Sequence, residues 1–295
     1  VADDDGAAGA SRATVVVTNR APVANPGAAV TGTEGAQVRF DGSASTDPDG
    51  DALSYLWNFG DGSPAATGAN VSHVYADNGA YRVTLTVSDG KLTAGASTTA
   101  TIANVAPAVS PLLGGTLLPG ETYHGSGSFA DPGADAWTAT VDYGDGSGAA
   151  TLPLAGTTFT LSHTYRVAGS YTLTVSVADD DGAVGASRAT IVVQTPQQAA
   201  WDITAMVDAL VASGALSPGS ANSLKTKLRA ATTQLDHSND TQAVSVFDAF
   251  LNDVRAMMGS GRLAADSGQS LIDAVNRILH ALRGEEPAVI HGASR

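Results

Sequence analysis

A chain of 295 residues with 43% hydrophobic side chains has room for roughly two or three domains with real cores, which excludes disorder throughout. The formal net charge of −14 is concentrated at the front: residues 1–199 hold 7 Lys/Arg against 19 Asp/Glu, and residues 200–295 hold 8 against 10. That acidity, with no basic patch interleaved with aromatics, excludes nucleic acid as a partner, and the absence of cysteine excludes a disulfide framework, a thiolate metal centre and a thiol nucleophile.

Residues 1–19 (VADDDGAAGASRATVVVTN) match residues 177–195 (VADDDGAVGASRATIVVQT) at 15 of 19 positions. The second copy closes a strand-rich unit. The first is therefore expected to be the C-terminal strand pair of a preceding repeat, lacking the sheets that would cover it. On this reading the array continues into upstream domains, and residues 1–19 are its least stable part.

From residue 20 to 195 the pattern is period-two alternation broken by Gly, Pro and Asp clusters. Val83-Thr84-Leu85-Thr86-Val87 and Leu173-Thr174-Val175-Ser176-Val177 alternate as half-buried antiparallel strands do, and further strands are expected around 36–40, 53–59, 137–143 and 158–162. This density of short strands predicts a β-sandwich, used twice. The two stretches share a skeleton: Phe59-Gly60-Asp61-Gly62 answers Tyr143-Gly144-Asp145-Gly146, Ser72-His73-Val74-Tyr75 answers Ser162-His163-Thr164-Tyr165, and Gly79-Ala80-Tyr81 answers Gly169-Ser170-Tyr171. In each, an aromatic at a strand end precedes a glycine turn whose Asp is placed to cap it. Tyr75 and Tyr81 read as core residues with hydroxyls bonded near a corner.

The run Trp57-Asn58-Phe59-Gly60-Asp61-Gly62, then His73-Val74-Tyr75 and Gly79-Ala80-Tyr81, closely resembles the PKD domain, an immunoglobulin-like sandwich frequent in bacterial secreted proteins. The resemblance implies a PKD-like sandwich over 20–103, a second over 104–195 in which Val141-Asp142-Tyr143 replaces the usual start, and only the last strand in 1–19. It also implies an extracellular or cell-surface location.

The segment from Asp41 to Asp51 is the densest set of oxygen ligands in the chain. Asp47, Asp49 and Asp51 stand at alternate positions around Gly50, an arrangement able to converge on a hard cation such as calcium, and equally able to form a solvated turn whose carboxylates bond backbone N–H groups. The resemblance adds weight to Ca2+ as a structural ion there. The second stretch keeps only Asp131-Pro132-Gly133-Ala134-Asp135, so any site there is expected to be weaker or absent. The runs Asp3-Asp4-Asp5 and Asp179-Asp180-Asp181 read as solvated turn tips. His73 and His163 read as structural hydrogen-bonding groups with no fixed carboxylate nearby in sequence. Hydrolase, metalloprotease, phosphate-loop and dinucleotide motifs are missing, and glutamate occurs at only four positions, so no catalytic residue is expected.

At Thr195-Pro196 the period becomes helical. After a linker at 196–201, Ile203, Met206, Val207, Leu210 and Val211 mark one helix ending at Gly214. Ser217-Pro218 opens a second with Leu224, Leu228, Ala231 and Leu235. A third carries Phe247, Phe250, Leu251 and Val254, and a fourth carries Leu271, Ile272, Val275 and Ile278 and ends at Gly284. These predict a small antiparallel four-helix bundle over 202–284, followed by a tail at 285–295. Gly214-x-Leu216 with Ser223-Leu224 recurs 47 residues on as Gly261-x-Leu263 with Ser270-Leu271, so the unit is a helix pair used twice. The links lack the calcium-ligand run of a dockerin. Ser223-Leu224, Lys227-Leu228, Phe250-Leu251, Val254, Gly261 and Leu271-Ile272 resemble the FIMAH-type helical domain of bacterial cell-surface and secreted proteins.

The expectation is a mainly β chain with an α C-terminal domain, non-catalytic, with no membrane span. It would hold or display an N-terminal functional domain and engage an extracellular polysaccharide or protein surface. A structural adhesin or surface-layer component, in which the repeats are the working part, and an accessory region of a secreted hydrolase are the alternatives.

Overall fold

The computed structural model describes residues 4–6 and 10–284. The tail expected at 285–295, and residues 1–3 and 7–9, lie outside the described residues. Two compact units are present, one of residues 1–106 with 131–136, the other of residues 107–130 with 137 onward.

In the first unit β1 (Val30–Thr33), β2 (Gln37–Asp41), β3 (Ser54–Asn58), β4 (Ala66–Thr67), β5 (Asn70–Val74), β6 (Gly79–Ser88) and β7 (Thr93–Ala103) form two sheets. One runs in the order β1-β7-β6-β3-β4 and the other pairs β2 with β5. The alternation of β6 places Val83, Leu85 and Val87 inward, where they meet Val38 and Phe40 of β2, Trp57 of β3 and Ile102 of β7. The indole N–H of Trp57 donates to the Gly68 carbonyl at 3.0 Å, which lets a polar ring sit fully buried. β1 pairs parallel with β7, Val30 opposite Ala100.

Residues 10–19 carry no strand, and Val15, Val16 and Val17 are exposed. Their counterparts in the duplicate, Ile191, Val192 and Val193, lie in a paired strand with Ile191 and Val193 buried. Identical propensity gives strand in one context and irregular chain in the other, because packing across the sheet face is what stabilises a strand.

The second unit repeats the sandwich with β8 (Ala108–Val109), β9 (Gly115–Leu117), β10 (Thr122–Ala130), β11 (Thr138–Asp142), β12 (Ala150–Thr151), β13 (Thr158–Thr164), β14 (Gly169–Ala178) and β15 (Val184–Val193). The sheets run β12-β11-β14-β15-β9 and β13-β10-β8, and β9 pairs parallel with β15, Ile191 opposite Gly115. Asp179, read from sequence as a solvated tip, is buried: it closes the β14–β15 turn by accepting from the Ala183 N–H at 2.7 Å, while Asp180 and Asp181 are exposed.

Four helices follow: α1 (Pro196–Ala212), α2 (Pro218–Asp236), α3 (Asp240–Gly259) and α4 (Ala265–Arg283). Residues 196–201, expected as a linker, are the first turns of α1. A capping box ties Thr195 to Gln198 there and Pro196 occupies a first-turn position, where its missing N–H costs nothing. Ser217 caps α2 and Gly284 ends α4 in the left-handed conformation. Each helix packs on two neighbours, α1 on α2 and α4, α3 on α2 and α4. The apolar stripes expected from sequence supply the shared core around Leu224, Leu228, Phe247, Phe250 and Val275. Among the described residues no helix is long and apolar enough to cross a membrane.

Candidate functional site

Three polar arrangements stand out. The first is the corner at the end of β3, repeated at the end of β11. Gly60 turns the chain with φ +83°, and a Cβ there would lie 2.5 Å from the Arg82 carbonyl oxygen; Gly144 has φ +75° and the same 2.5 Å approach to Thr172. Only glycine satisfies both constraints. The turn aims Asp61 so that Oδ1 accepts from the Ser63 N–H at 3.0 Å and hydroxyl at 2.6 Å, while Oδ2 lies 2.6 Å from His73 Nε2. The His73 ring stacks on Phe59 at 4.0 Å and meets the edge of Tyr75 at 4.7 Å. Asp145, Ser147, His163, Tyr143 and Tyr165 repeat every part, with His163 Nε2 2.7 Å from Asp145. Each histidine thus acts as a structural hydrogen-bonding group, with a carboxylate partner that is distant in sequence. The partner lies 12 residues away in the first corner and 18 in the second, and only the returning strand brings the two together.

A histidine, an aspartate and a serine in contact invite comparison with a nucleophilic triad. There the acid and the nucleophile occupy opposite nitrogens of the imidazole, so that a proton can pass through the ring. Here Ser63 Oγ lies 3.4 Å from the same Nε2 that meets Asp61, and its own hydrogen bond goes to Asp61. No relay can run through one nitrogen, and the serine is a turn cap.

The electrostatics agree with a structural lock. Burial works against ionisation of Asp61, but the bonds from Ser63 and His73 outweigh it and hold its pKa low. Asp145 is held down at about 2, first by the Ser147 hydroxyl and N–H, then by His163. The Tyr75 hydroxyl donates to the Phe59 carbonyl at 3.2 Å and burial pushes its pKa up to about 12; Tyr165 donates to Tyr143 at 3.0 Å and is pushed up in the same way. Tyr81 bonds the carbonyls of Asp77 and Asn78.

The second arrangement is the loop from Asp41 to Asp51. Asp47 Oδ1 accepts from the N–H groups of Asp49 at 2.8 Å and Asp51 at 3.2 Å, and Oδ2 is buried without a hydrogen-bond partner. Asp49 is engaged by Arg20: the backbone N–H meets Oδ2 at 2.7 Å, and Nε and Nη2 meet Oδ1 at 2.9 and 2.7 Å. These bonds from Arg20 hold the Asp49 carboxyl below its ordinary range. Oxygens of Asp47, Asp49 and Asp51 do not form a set of three within 4.8 Å of one another. The guanidinium of Arg20 was not anticipated from sequence, since it lies 29 residues from the carboxylate it meets.

The third is a buried ion pair within the second unit. Arg277 of α4 grips Glu121 with two bonds, Nε to Oε1 at 2.8 Å and Nη2 to Oε2 at 2.7 Å, and reaches the Thr116 carbonyl at 3.2 Å. Glu121 also accepts from the Leu118 N–H at 2.8 Å and is 8% exposed. This geometry fixes a helix and does no chemistry.

Comparison with known proteins is consistent with this catalogue. A family model for the PKD domain matches residues 19–103 and again 104–194, and one for the FIMAH domain matches residues 200–280. Collagenase ColA of Bacillus cereus is 44% identical over 55 residues, covering 19% of this chain and 6% of that protein. A microbial collagenase of Vibrio alginolyticus is 39% identical over 104 residues, covering 35% of this chain and 12% of that one. The chain therefore spans only a small part of these relatives. Among solved structures, a PKD domain of an M14-like peptidase from a Thermoplasmatales archaeon is 23% identical with a TM-score of 0.25, covering 31% of this chain and 98% of that one.

Proposed function

Because two PKD domains make up more than half of it, the chain belongs to the PKD-domain family, with a FIMAH domain behind them, and from that premise we propose that it is a non-catalytic spacer and interaction region of a bacterial extracellular multidomain protein. One observation carries the reading. The arrangement that most resembles a reactive centre has its acid and its serine on a single imidazole nitrogen at His73, and the second corner repeats the acid–histidine contact with its serine bonded to the acid, which makes each a clamp on a corner. In the collagenase relatives the matching segment is a minor part of a much longer protein. That supports a role in which these domains hold a catalytic domain against a polymeric protein or polysaccharide.

Calcium at Asp47, Asp49 and Asp51 belongs to the same proposal in a qualified form: an ion there has to displace Arg20 from Asp49. The exchange Arg20→Ala is then expected to raise calcium affinity at this loop.

Sedimentation of the chain with insoluble collagen, chitin and cellulose tests the binding arm. Retention on one of them identifies the surface, and retention on none leaves spacing as the role. Cleavage of collagen by this chain alone, abolished in Asp61→Asn or Asp145→Asn, would overturn the reading.

A further inference from the structure

A second cluster of carboxylates lies away from the loop at 41–51, and it joins Asp131 and Asp135, of the loop expected to hold a weaker site or none, to Glu34. Glu34, in the turn after β1, is 1% exposed. Its Oε1 accepts from the Val105 N–H at 2.6 Å, and its Oε2 is buried with no hydrogen-bond partner. A carboxylate taken out of water is strongly disfavoured unless its oxygens are matched by donors or a cation. One oxygen here is matched, the other is not, and two more carboxylates lie beside the group. Glu34, Asp131 and Asp135 each present an oxygen, all three within 4.8 Å of one another.

The backbone is shaped to this convergence. Residues 131–136 belong to the first compact unit, and the Ala134 N–H donates to the Ala76 carbonyl at 2.7 Å. Asp131 accepts from the Gly133 N–H at 3.1 Å, closing a tight loop between the two aspartates. A Cβ on Gly133 would lie 2.3 Å from Asp135 Oδ2 and 2.9 Å from the Glu34 carboxyl carbon. Glycine is thus what allows both carboxyl groups to close over that position.

Three carboxylate oxygens gathered within 4.8 Å suit a hard divalent cation. Calcium binds oxygens at about 2.3–2.6 Å in irregular shells, so ligands on opposite sides of the ion lie up to about 5 Å apart. Magnesium demands near-octahedral ligands at about 2.0–2.1 Å and keeps most of its waters, which fits a buried glutamate less well. We infer that Glu34, Asp131 and Asp135 form a calcium site, with Glu34 Oε2 as its buried anchor, and that the ion pins the loop at 131–136 to the turn after β1. The site thus uses the loop that had looked depleted of ligands, because the missing one is supplied by a glutamate about a hundred residues earlier in the chain.

The test is calcium titration of the chelator-stripped chain by calorimetry, with thermal unfolding followed in parallel. The wild type is expected to release or absorb heat with calcium and to unfold at higher temperature in its presence. Glu34→Gln, which keeps shape and removes charge, is expected to lose calcium affinity at least tenfold and to lose the thermal shift. The pair is compared in an Asp49→Asn background, which removes any contribution of the loop at 41–51: Asp49→Asn alone is expected to keep a calcium response that the added Glu34→Gln abolishes. Asp135→Asn serves as a second variant at the more accessible side of the cluster, with circular dichroism confirming that each variant folds. Two results would overturn the inference: no calcium response in Asp49→Asn up to about 10 mM, above the range of extracellular calcium modules, or a response that survives when either Glu34→Gln or Asp135→Asn is added to it.

Discussion

Replacing Arg277 by Met tests how far the second unit depends on a single ion pair. The guanidinium makes two bonds to Glu121 and one to the Thr116 carbonyl. Breaking a buried pair by removing one partner costs about 3–5 kcal/mol, because the other charge is left without compensation. Two features lower that figure here. Glu121 keeps the N–H of Leu118 as a donor, and the Arg277 side chain is 38% exposed, so water reaches part of the pair. An expected loss of about 2 kcal/mol follows, which for a unit of this size lowers the melting temperature by about 4–8 °C. Scanning calorimetry on wild type, Arg277→Met, Glu121→Gln and the double variant gives a full cycle. The double variant is expected to recover at least about 1 kcal/mol relative to the sum of the single changes, since neither charge is then stranded. A shift below about 1 °C in Arg277→Met, or strict additivity in the cycle, would refute the assignment of this pair as a fastening of α4.

The corner glycines give a matched comparison: Gly60→Ala forces a Cβ to 2.5 Å from a backbone oxygen, whereas Gly62 has φ +80° with nothing within 4 Å. Urea unfolding is expected to show about 3 kcal/mol lost for Gly60→Ala and about 1 for Gly62→Ala, and equal losses would sink the close-approach argument. Trypsin is expected to cut after Arg12 well before Arg188, although the two sit in the same local sequence, because Arg188 lies in the β14–β15 ladder and Arg12 is exposed in irregular chain; equal rates, read by mass spectrometry, would contradict the stated difference in order. For Asp145 the folded pKa of about 2 lies below the ordinary carboxylate value, so its stabilisation is complete above about pH 4 and fades as the pH falls toward 2. Its side chain is 25% exposed, and discounting for solvent screening leaves about 1 kcal/mol. The stability gap between wild type and Asp145→Asn is expected to narrow by that amount between pH 5 and 2, and a constant gap would remove the carboxylate from the account.

The legible part of this chain was periodicity. Val83, Leu85 and Val87, their counterparts Leu173, Val175 and Val177, and the helical stripes around Leu224 and Phe250 all point where their spacing directs them. What escaped was structure without an apolar pattern. The nine-residue β10 was not among the strands expected, yet Gly127 stands where a Cβ would lie 2.5 Å from the Phe159 ring, and Gly125 where one would meet Tyr123 at 2.5 Å. Its glycines make room for rings, which is a packing role that composition disguises. Buried charge escaped for a different reason. The scarcity of glutamate counted against chemistry, while both described glutamates, Glu34 and Glu121, are buried and hold together segments far apart in sequence. Arg20 on Asp49 and the His–Asp corners escaped because contacts between segments 12 to 29 residues apart leave no spacing rule to read.

In each sandwich the first edge strand of the larger sheet runs parallel to the last, β1 beside β7 and β9 beside β15. A pull applied where the chain enters one strand and leaves the other slides the two past each other, and the bonds between them must fail together. An antiparallel arrangement would open one bond at a time. A module loaded this way gives little until it ruptures, with four residue pairs holding in the first sandwich and three in the second. Under the proposed spacer role, that makes tensile strength a property of the topology, and the shorter ladder the link expected to yield first.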